Sequence, residues 1–545
     1  MTREPSVLVV GAGPTGLTLA CTLRRFGVDC RVVDRREGLG DEPKALVLWS
    51  GALEALRRTG VADEAVTRAL ALTGASYWSR GRRIGGIGFG DLPGTAFPGP
   101  VCLPQPVLER LLLDRLEQLG GSVQWRTEAV GVEITTDGAR VELGHGDGER
   151  EHVEVPWVVG ADGTRSRVRE SLGIPYEGTT YPRVFLLGDG RLRGPAPARE
   201  AQYHLHPDGV LVLVPLPDGG HRVFFDLPDG PAGADATEGA PDVGLLQGLL
   251  DTRGPGGLTL TETWWTSRFR VHARLAREFR RGPVFLAGDA AHCHSPAGGQ
   301  GLNTGVQDGY DLGWKLASVV RGAGEQLLDS YPAERRPASA AAVRSADQQT
   351  RLWMLRAPLA RALRDGVMRR LLSTALPRRR IVPQLAQLHL DHSGSTAVVD
   401  LPDAATPPAV RLGRRMPDTE LVAADGSGAG TLHDYLARGR HVVLAVGGRA
   451  AAHAVERVVP LLVGRGVSDV VDVLWLRPSG SLIERPFGGG FDVRDEGPPA
   501  ALSGGKRSWL VYVRPDGVVG ARAGTEQVDG LVALLPRRAA PVKTG

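Results

Sequence analysis

The sequence predicts a mixed α/β fold, and three patterns along the chain lead to this prediction. The chain begins with an apolar stretch, a helical pattern and a second apolar stretch, which is the order of a βαβ unit. From about residue 182 to residue 265, apolar and polar residues alternate between turn signals, which favours an antiparallel sheet. Beyond residue 396, strand and helix patterns alternate again and indicate a small α/β domain.

The first strand, helix and second strand lie within the first 34 residues. Ser6–Val10 has the apolar pattern of a short buried strand, Thr15–Phe26 has the apolar face of a helix, and Asp29–Val33 repeats the strand pattern. Together they predict a Rossmann-like unit, in which a strand leads directly into a helix and then into a parallel strand.

The turn between the first strand and the helix contains the residues that a dinucleotide requires. Gly11 permits a tight turn, Gly13 lets backbone amides approach a pyrophosphate, and Gly16 allows the helix to pack closely on the strand. Pro14 and Thr15 open the helix, whose N-terminus favours an anion. These five residues are therefore candidate cofactor contacts.

An acidic residue ends the second strand, at the distance expected of such a motif. Asp34 would accept hydrogen bonds from a ribose, and Arg35 beside it is a further candidate contact. This motif by itself fits FAD and NAD equally well.

Two later motifs also place an acid after a strand. Asp162 lies in Gly160–Arg169, after the apolar stretch Trp157–Val159, and Asp289 lies in Val284–His292, which continues into Ser295–Thr304. An acid at a strand end, followed by glycines and a helix, can hold sugar hydroxyls and offer backbone amides to anions.

The three motifs in this order resemble those of the single-component FAD-dependent aromatic hydroxylases, the para-hydroxybenzoate hydroxylase-like class A flavoprotein monooxygenases. The sequence is similar over essentially its whole length to the bacterial members that act on aromatic polyketides and phenols, including rifampicin monooxygenase-like enzymes. The resemblance implies FAD as the cofactor, NADPH (or NADH) as a transient reductant and O2 as the co-substrate.

The resemblance also implies roles for particular residues. Asp289, after Gly288, would bind the ribityl and phosphate region of FAD, and Asp162 would lie where flavin and nicotinamide are both contacted. The residues that would bring helix N-terminal amides to the flavin pyrimidine edge are Gly298, Gly299, Gly301, Leu302 and Asn303. Pro296 would lie beside the site of oxygen addition, and a proline that only limits a helix start is the alternative.

Two shorter matches add flavin contacts. Gln105, in Leu103-Pro104-Gln105, resembles a flavin-contacting position. Lys44 lies where the family usually has an arginine that contacts the FAD pyrophosphate and influences NADPH binding. Lysine keeps the charge but loses bidentate phosphate recognition, and a solvated surface lysine is the alternative interpretation.

The implied reaction is hydroxylation of a polycyclic aromatic or phenolic, polyketide-like substrate through a flavin C4a-hydroperoxide. The chain has no second complete dinucleotide motif, because Val446–Arg449 fails the spacing, so NADPH has no Rossmann unit of its own. The antiparallel sheet would roof the substrate, and we assign none of its residues as a base. Its candidate substrate contacts are Tyr203, His204, His206, Arg222 and Phe224.

Other outcomes stay open at this point. The same scaffold could support a Baeyer–Villiger reaction or an oxidative rearrangement, or act as a flavin dehydrogenase or oxidase. A flavoprotein that sequesters an aromatic ligand without turnover is the alternative from a different class.

The resemblance divides the chain as follows. Residues 1–181 form the first part of the FAD-binding domain, with 76–104 contributing to the substrate side, and residues 182–265 form the substrate sheet. Residues 266–395 form the second FAD-binding part with a helical segment that covers the sheet or a partner subunit. Residues 396–545 resemble a thioredoxin-like domain but contain no cysteine, which excludes dithiol chemistry.

Composition limits the partners. Lys+Arg 65 and Asp+Glu 61 are nearly balanced and dispersed, which argues against nucleic acid. We find neither a signal-peptide pattern nor an apolar run of membrane-spanning length, so we expect a cytoplasmic protein with no membrane partner. The cysteines at 21, 30, 102 and 293 lack metal-binding spacing, which predicts free thiols and no metal. The chain is expected to be a monomer or a homodimer.

Overall fold

The fold is seen in a computed structural model, which describes residues 5–227, 240–402, 404, 406–423, 429–467, 469–478, 490–493 and 508–536. Its helices α1 to α13 are, in chain order, Pro14–Arg25, Ser50–Thr59, Ala62–Thr67, Gln105–Gln118, Arg167–Ser171, Val243–Arg253, Gly301–Val320, Ser330–Trp353, Pro358–Leu372, Val382–Leu385, Leu432–Leu436, Arg449–Gly464 and Val528–Ala533. Among these described helices, none is long and apolar enough to cross a lipid bilayer.

A six-stranded sheet forms the centre of the N-terminal part. Its strands are, in spatial order, Arg280–Arg281, Val284–Leu286, Trp157–Gly160, Val7–Val10, Cys30–Val33 and Val123–Gln124. All neighbours pair in parallel except the first two. The predicted βαβ unit is present, with α1 between Val7–Val10 and Cys30–Val33. Two small sheets complete this part, one of Val47–Leu48, Val101–Cys102 and Leu70–Ala71, the other of Arg150–Val155, Ala139–His145 and Thr127–Ile134.

An eight-stranded sheet follows, and every pair in it except one is antiparallel, as predicted. Its strands are, in spatial order, His292–Cys293, Thr259–Ala276, Tyr176–Arg193, His221–Leu227, Gly209–Pro215, Glu200–His206, Gly74–Ser79 and Arg82–Gly88. The paired strands Tyr176–Arg193 and Thr259–Ala276 extend across the predicted limits at 181/182 and 265/266, and their ladder shifts register between Thr180 and Val184.

The two faces of this large sheet have different neighbours, because successive side chains of a strand point to opposite sides. One face, which we call the inner face, packs Phe185 and Phe224 with Ala297 and with Trp353 at the end of α8. The opposite, outer face packs on α6 through Leu246.

The C-terminal part has a second eight-stranded sheet. Its strands are, in spatial order, Val399–Asp400, Val519–Gly524, Trp509–Val513, His441–Val446, Val471–Pro478, Gly490–Val493, Glu420–Ala423 and Ala429–Thr431. Strands and helices alternate here as predicted, with α12 between the strands His441–Val446 and Val471–Pro478. The thioredoxin-like assignment stays a prediction.

A buried group of charges joins this C-terminal part to α7 and α8. Arg514 donates to both carboxylate oxygens of Glu334, at 2.7 Å each, and also contacts Asp516. Lys315 donates to Asp311 (2.8 Å) and Glu334 (2.9 Å). Burial would raise the pKa of Glu334, but the Arg514 and Lys315 charges hold it well below its ordinary value. The three carboxylates lie within reach of one cation, and the two basic side chains already compensate them.

We predict that Arg514→Leu destabilises the protein by about 3–5 kcal/mol, because it leaves Glu334 and Asp516 buried without their main cation. The matched control is Arg522→Leu, which breaks a 2.7 Å ion pair with the half-exposed Asp400 and should cost less than about 1 kcal/mol. Urea unfolding followed by circular dichroism compares the two variants. Equal losses would show that the buried group contributes no more than a surface pair.

Candidate functional site

The three sequence motifs meet at the carboxyl edge of the parallel sheet. The Ala161 N–H donates to the Val10 carbonyl (2.8 Å), and the Ala287 N–H donates to the Gly160 carbonyl (2.9 Å). Because parallel strands end at the same edge, residues separated by more than a hundred positions become neighbours.

The glycines of the first turn differ in what surrounds them. Gly11 has a φ of 107°, and a Cβ there would lie 2.3 Å from the carbonyl oxygen of Ala161. A Cβ on Gly16 would lie 1.9 Å from the carbonyl oxygen of Gly11, whereas one on Gly13 would meet nothing within 4 Å. Gly11 and Gly16 are therefore fixed by packing, while Gly13 faces open space at the start of α1.

The N-terminus of α1 is suited to an anion. Gly13 is its N-cap, Pro14 opens the helix, and no side chain caps the first amides. Those amides point toward the open space beside Gly13, where a pyrophosphate would find both donors and the positive end of the helix.

Asp34 binds the backbone of the first turn. Its carboxylate accepts hydrogen bonds from Ala12 N (2.7 Å) and Arg36 N (2.8 Å). The Arg36 side chain also donates to Asp34 and to Glu109. The structure therefore places Arg36 at this site instead of the predicted Arg35, which lies exposed near Glu128. The chain turns after Asp34, whose side chain accepts from the Arg36 amide two residues on, and this turn brings Arg36 back to the carboxylate.

The two later acids keep free oxygen atoms. Asp162 Oδ2 accepts from Val168 N (3.2 Å), but its buried Oδ1 has no partner, and burial raises its pKa. The Asp289 carboxylate is open to the space in front of the sheet, and the surrounding protein raises its pKa by desolvation. Both acids are thus acceptors available to a ligand.

Arg169 holds the second and third motifs together. Its buried guanidinium donates to the carbonyls of Thr164 (2.9 Å) and Ala290 (3.0 Å), and it lies 4.1 Å from the ring centre of Tyr176. The Tyr176 hydroxyl in turn donates to the Asp289 carbonyl (2.9 Å). Sequence reasoning assigned no role to Arg169, although it lies within the second motif.

A buried carboxylate supports the turn at Gly288. Asp308 on α7 accepts from Gly288 N (3.1 Å), His292 Nε2 (2.6 Å) and Arg335 Nε (2.7 Å). Burial would raise its pKa, but the Arg335 and His292 charges hold it below its ordinary value. Sequence reasoning did not identify Asp308, because its partners are 16 to 27 residues away.

The segment before α7 is fixed by Asn303. Its side-chain oxygen accepts from Trp49 N (2.6 Å), and its amide donates to Val47 (2.8 Å) and Gly299 (2.6 Å) carbonyls. Helix α7 begins at Gly301 without a side-chain cap, so its first amides, including that of the half-buried Leu302, are free for an anionic group.

The remaining cofactor candidates lie around this segment. Gln105 accepts from Ala45 N (3.3 Å) and donates to Glu109 (2.8 Å). Lys44 forms an exposed ion pair with Glu42 (2.8 Å), which fits the surface-lysine alternative. Pro296 is exposed and caps the short turn Ala297–Gly299, which contains Gly298.

The substrate candidates divide between the two faces of the large sheet. Tyr203 lies on the inner face and stacks with Tyr77 (5.0 Å) and Trp353 (5.2 Å). Alternation along their strand turns His204 and His206 to the outer face, opposite to Tyr203. His204 stacks on Trp78 (5.8 Å), and burial lowers its pKa to about 4.

The other two candidates lie on the strand His221–Leu227, on the same side as Tyr203. Phe224 stacks on Phe185 at 5.4 Å in the inner-face cluster. Arg222 is buried, pairs with Asp189 (2.7 Å) and donates to the Lys44 carbonyl (2.9 Å), so it ties the sheet to the cofactor side. Its guanidinium also lies over Trp265.

Comparison with known proteins gives four similarities. The family described as FAD binding domain matches residues 4–346. The 6-methylpretetramide 4-monooxygenase of Streptomyces rimosus is 41% identical over 362 residues, which cover 65% of this chain and 63% of that relative's length. The pentachlorophenol 4-monooxygenase of Sphingobium chlorophenolicum is 31% identical over 542 residues, covering 98% of this chain and 96% of that protein. The solved anhydrotetracycline hydroxylase of Streptomyces rimosus has a TM-score of 0.73 at 29% identity, covering 97% of this chain and 98% of that one.

We predict that Gly13→Ala and Gly16→Ala separate cofactor binding from folding. The Gly13 methyl would fill the open space at α1, which should weaken FAD binding at least about tenfold while the protein stays folded. The Gly16 methyl would overlap a backbone oxygen, which should lower the melting temperature as well. Fluorescence titration with FAD and thermal unfolding measure the two effects. Unchanged FAD affinity in folded Gly13→Ala would contradict this assignment of the pyrophosphate.

Proposed function

The chain belongs to the FAD binding domain family of flavin-dependent monooxygenases, and from this premise we propose that it hydroxylates a polycyclic phenol of polyketide type. The free oxygen atoms of Asp162 and Asp289, the open space at Gly13 and the uncapped start of α7 fit FAD. Bound FAD would accept a hydride from NAD(P)H and would then activate O2. The proposal includes the hydroperoxide route that the resemblance implies.

The observation that carries the proposal is the aromatic inner face beside the segment 295–299. The rings that share this face, or pack on its cluster, are Tyr77, Tyr181, Phe185, Tyr203, Phe224, Trp265, Phe269 and Trp353. Ala297 belongs to the same cluster, so the rings adjoin the loop that leads into α7. Flat aromatic substrates pack well on such a surface.

The charges near this face favour a neutral or weakly acidic substrate. Arg222 and Asp189 compensate each other, with both nitrogen–oxygen distances between 2.7 and 2.8 Å. Burial raises the pKa of Tyr203 to about 12, so its hydroxyl stays protonated and adds no charge to this face. We assign no side-chain base, and the protein's part is to exclude water and hold the ring in place.

The names of the relatives fit this substrate class. One is named for 6-methylpretetramide, one for pentachlorophenol and one for anhydrotetracycline. For the present chain, a polycyclic phenol would match both the aromatic inner face and these names.

The test uses the purified protein with FAD. Polycyclic phenols should stimulate NADPH oxidation, and isotopically labelled O2 should place one labelled oxygen atom on an aromatic carbon of the product. A colourless protein that does not bind FAD would contradict the cofactor, and bound ligand without NADPH oxidation would indicate sequestration. An ester or lactone product would indicate Baeyer–Villiger chemistry, and an oxidised product without label would indicate a dehydrogenase or oxidase.

Adjacent residues on one strand give a sharper test of the substrate face. Tyr203→Ala should raise KM for the phenol about tenfold, because it removes stacking surface on the inner face. His204→Ala, on the outer face, should change KM by less than about twofold once folded protein is compared. Steady-state kinetics with both variants at equal FAD content measure the two KM values. Similar KM changes in both would contradict the assignment of the inner face.

A further inference from the structure

Helix α9, Pro358–Leu372, turns its apolar side toward solvent. The exposed fractions are 86% for Leu359, 70% for Leu363, 48% for Val367 and 42% for Leu371, and these residues are spaced four apart, on one side of the helix. An ordinary surface helix shows the reverse pattern, with its apolar side against the core. We call these four residues the α9 stripe.

The orientation of α9 is fixed by its opposite side. The Ser79 hydroxyl donates to the Asp365 carboxylate (2.6 Å), and the buried Arg364 donates to the Leu352 carbonyl of α8 (3.2 Å). Leu372 lies against Gly85 of the neighbouring strand. Rotating the helix to bury the α9 stripe would break these contacts, so the stripe stays outward.

The surroundings of the α9 stripe are strongly basic. Residues 352–381 contain eight arginines and a single aspartate, Asp365, which is already used by Arg364 and Ser79. The exposed arginines are Arg356, Arg369, Arg370, Arg378, Arg379 and Arg380. Three more exposed apolar side chains, Leu352, Leu376 and Ile381, lie at the two ends of this segment.

The exposed apolar stripe and its arginines together distinguish between two possible partners of this surface, a second copy of the chain and a membrane. Arg378 pairs with Asp91 within the chain, but a second copy of the chain, paired about a two-fold axis, would bring the other arginines of this surface face to face. An anionic bilayer accepts both features, because leucine side chains enter the headgroup boundary and arginines pair with lipid phosphates. We propose that the α9 stripe and its arginines dock the protein on the surface of an anionic phospholipid membrane.

The proposed docking surface lies close to the substrate side. Met368 of α9 packs on the inner-face cluster, so one helix contacts both regions. An aromatic substrate dissolved in the bilayer would then meet the protein near its site. This link to the substrate rests on the proposed function, whereas the docking itself does not. It differs from the expectation of no membrane partner, which was based on the lack of a spanning segment.

The experiment is co-sedimentation of the full FAD-loaded chain with phosphatidylcholine vesicles, with and without phosphatidylglycerol. Binding should require phosphatidylglycerol and weaken as salt is added. Leu359→Ser and Leu363→Ser should each weaken it about tenfold, as the loss of a buried leucine predicts. The matched control is Val463→Ser on α12, a valine that is 62% exposed, which should leave binding unchanged. NADPH oxidation in solution should be the same in all three variants.

Three results would overturn the proposal: no binding to the anionic vesicles, binding that the two leucine variants keep, or a dimer in light scattering that these variants dissociate. The last result would identify a second copy as the occupant. Vesicle binding does not depend on turnover, so failure of the proposed hydroxylation would leave this readout intact.

Discussion

The parallel pairing of Val7–Val10 with Trp157–Gly160, and of that strand with Val284–Leu286, is the constraint on which the site depends. It carries three distant motifs to one edge and forces two of their loops into contact. At that contact only a glycine fits, because a Cβ on Gly11 would overlap the carbonyl of Ala161. Asp162 and Asp289 each follow one of these neighbouring strands, so both acids lie at the same edge of the sheet.

A second constraint is electrostatic and consists of buried charges that support the Gly288 turn. Asp308 on α7 holds the Gly288 turn through a backbone amide and pairs with Arg335 on α8. Glu334, one residue earlier on α8, accepts hydrogen bonds from Arg514 of the C-terminal part. The same two helices therefore support the cofactor turn and anchor the C-terminal sheet. Buried charges of this kind are costly unless every one has its partner, which ties the two regions to a single arrangement.

Alternation along the strands gives the large sheet two faces with different neighbours. Tyr203 joins the aromatic inner face, while its neighbour His204 stacks on the other side. Arg222, on the inner side, is held by Asp189 and reaches the backbone at Lys44, so the sheet and the cofactor edge are fixed relative to each other. An aromatic substrate would thus be placed by rigid rings.

By itself, the sequence determined the features that depend on local pattern. The βαβ unit with Gly11, the acids Asp162 and Asp289, and the elements of the C-terminal part follow from short-range periodicity and spacing. Tertiary structure alone decided what covers each side of a strand, and so gave Tyr203 and His204 different neighbours. It also decided that Arg514 pairs with a glutamate 180 residues away. Alternation along a strand defines two faces but does not say which face another element covers. A contact between distant residues leaves no pattern in the local sequence, because it forms only when the chain folds.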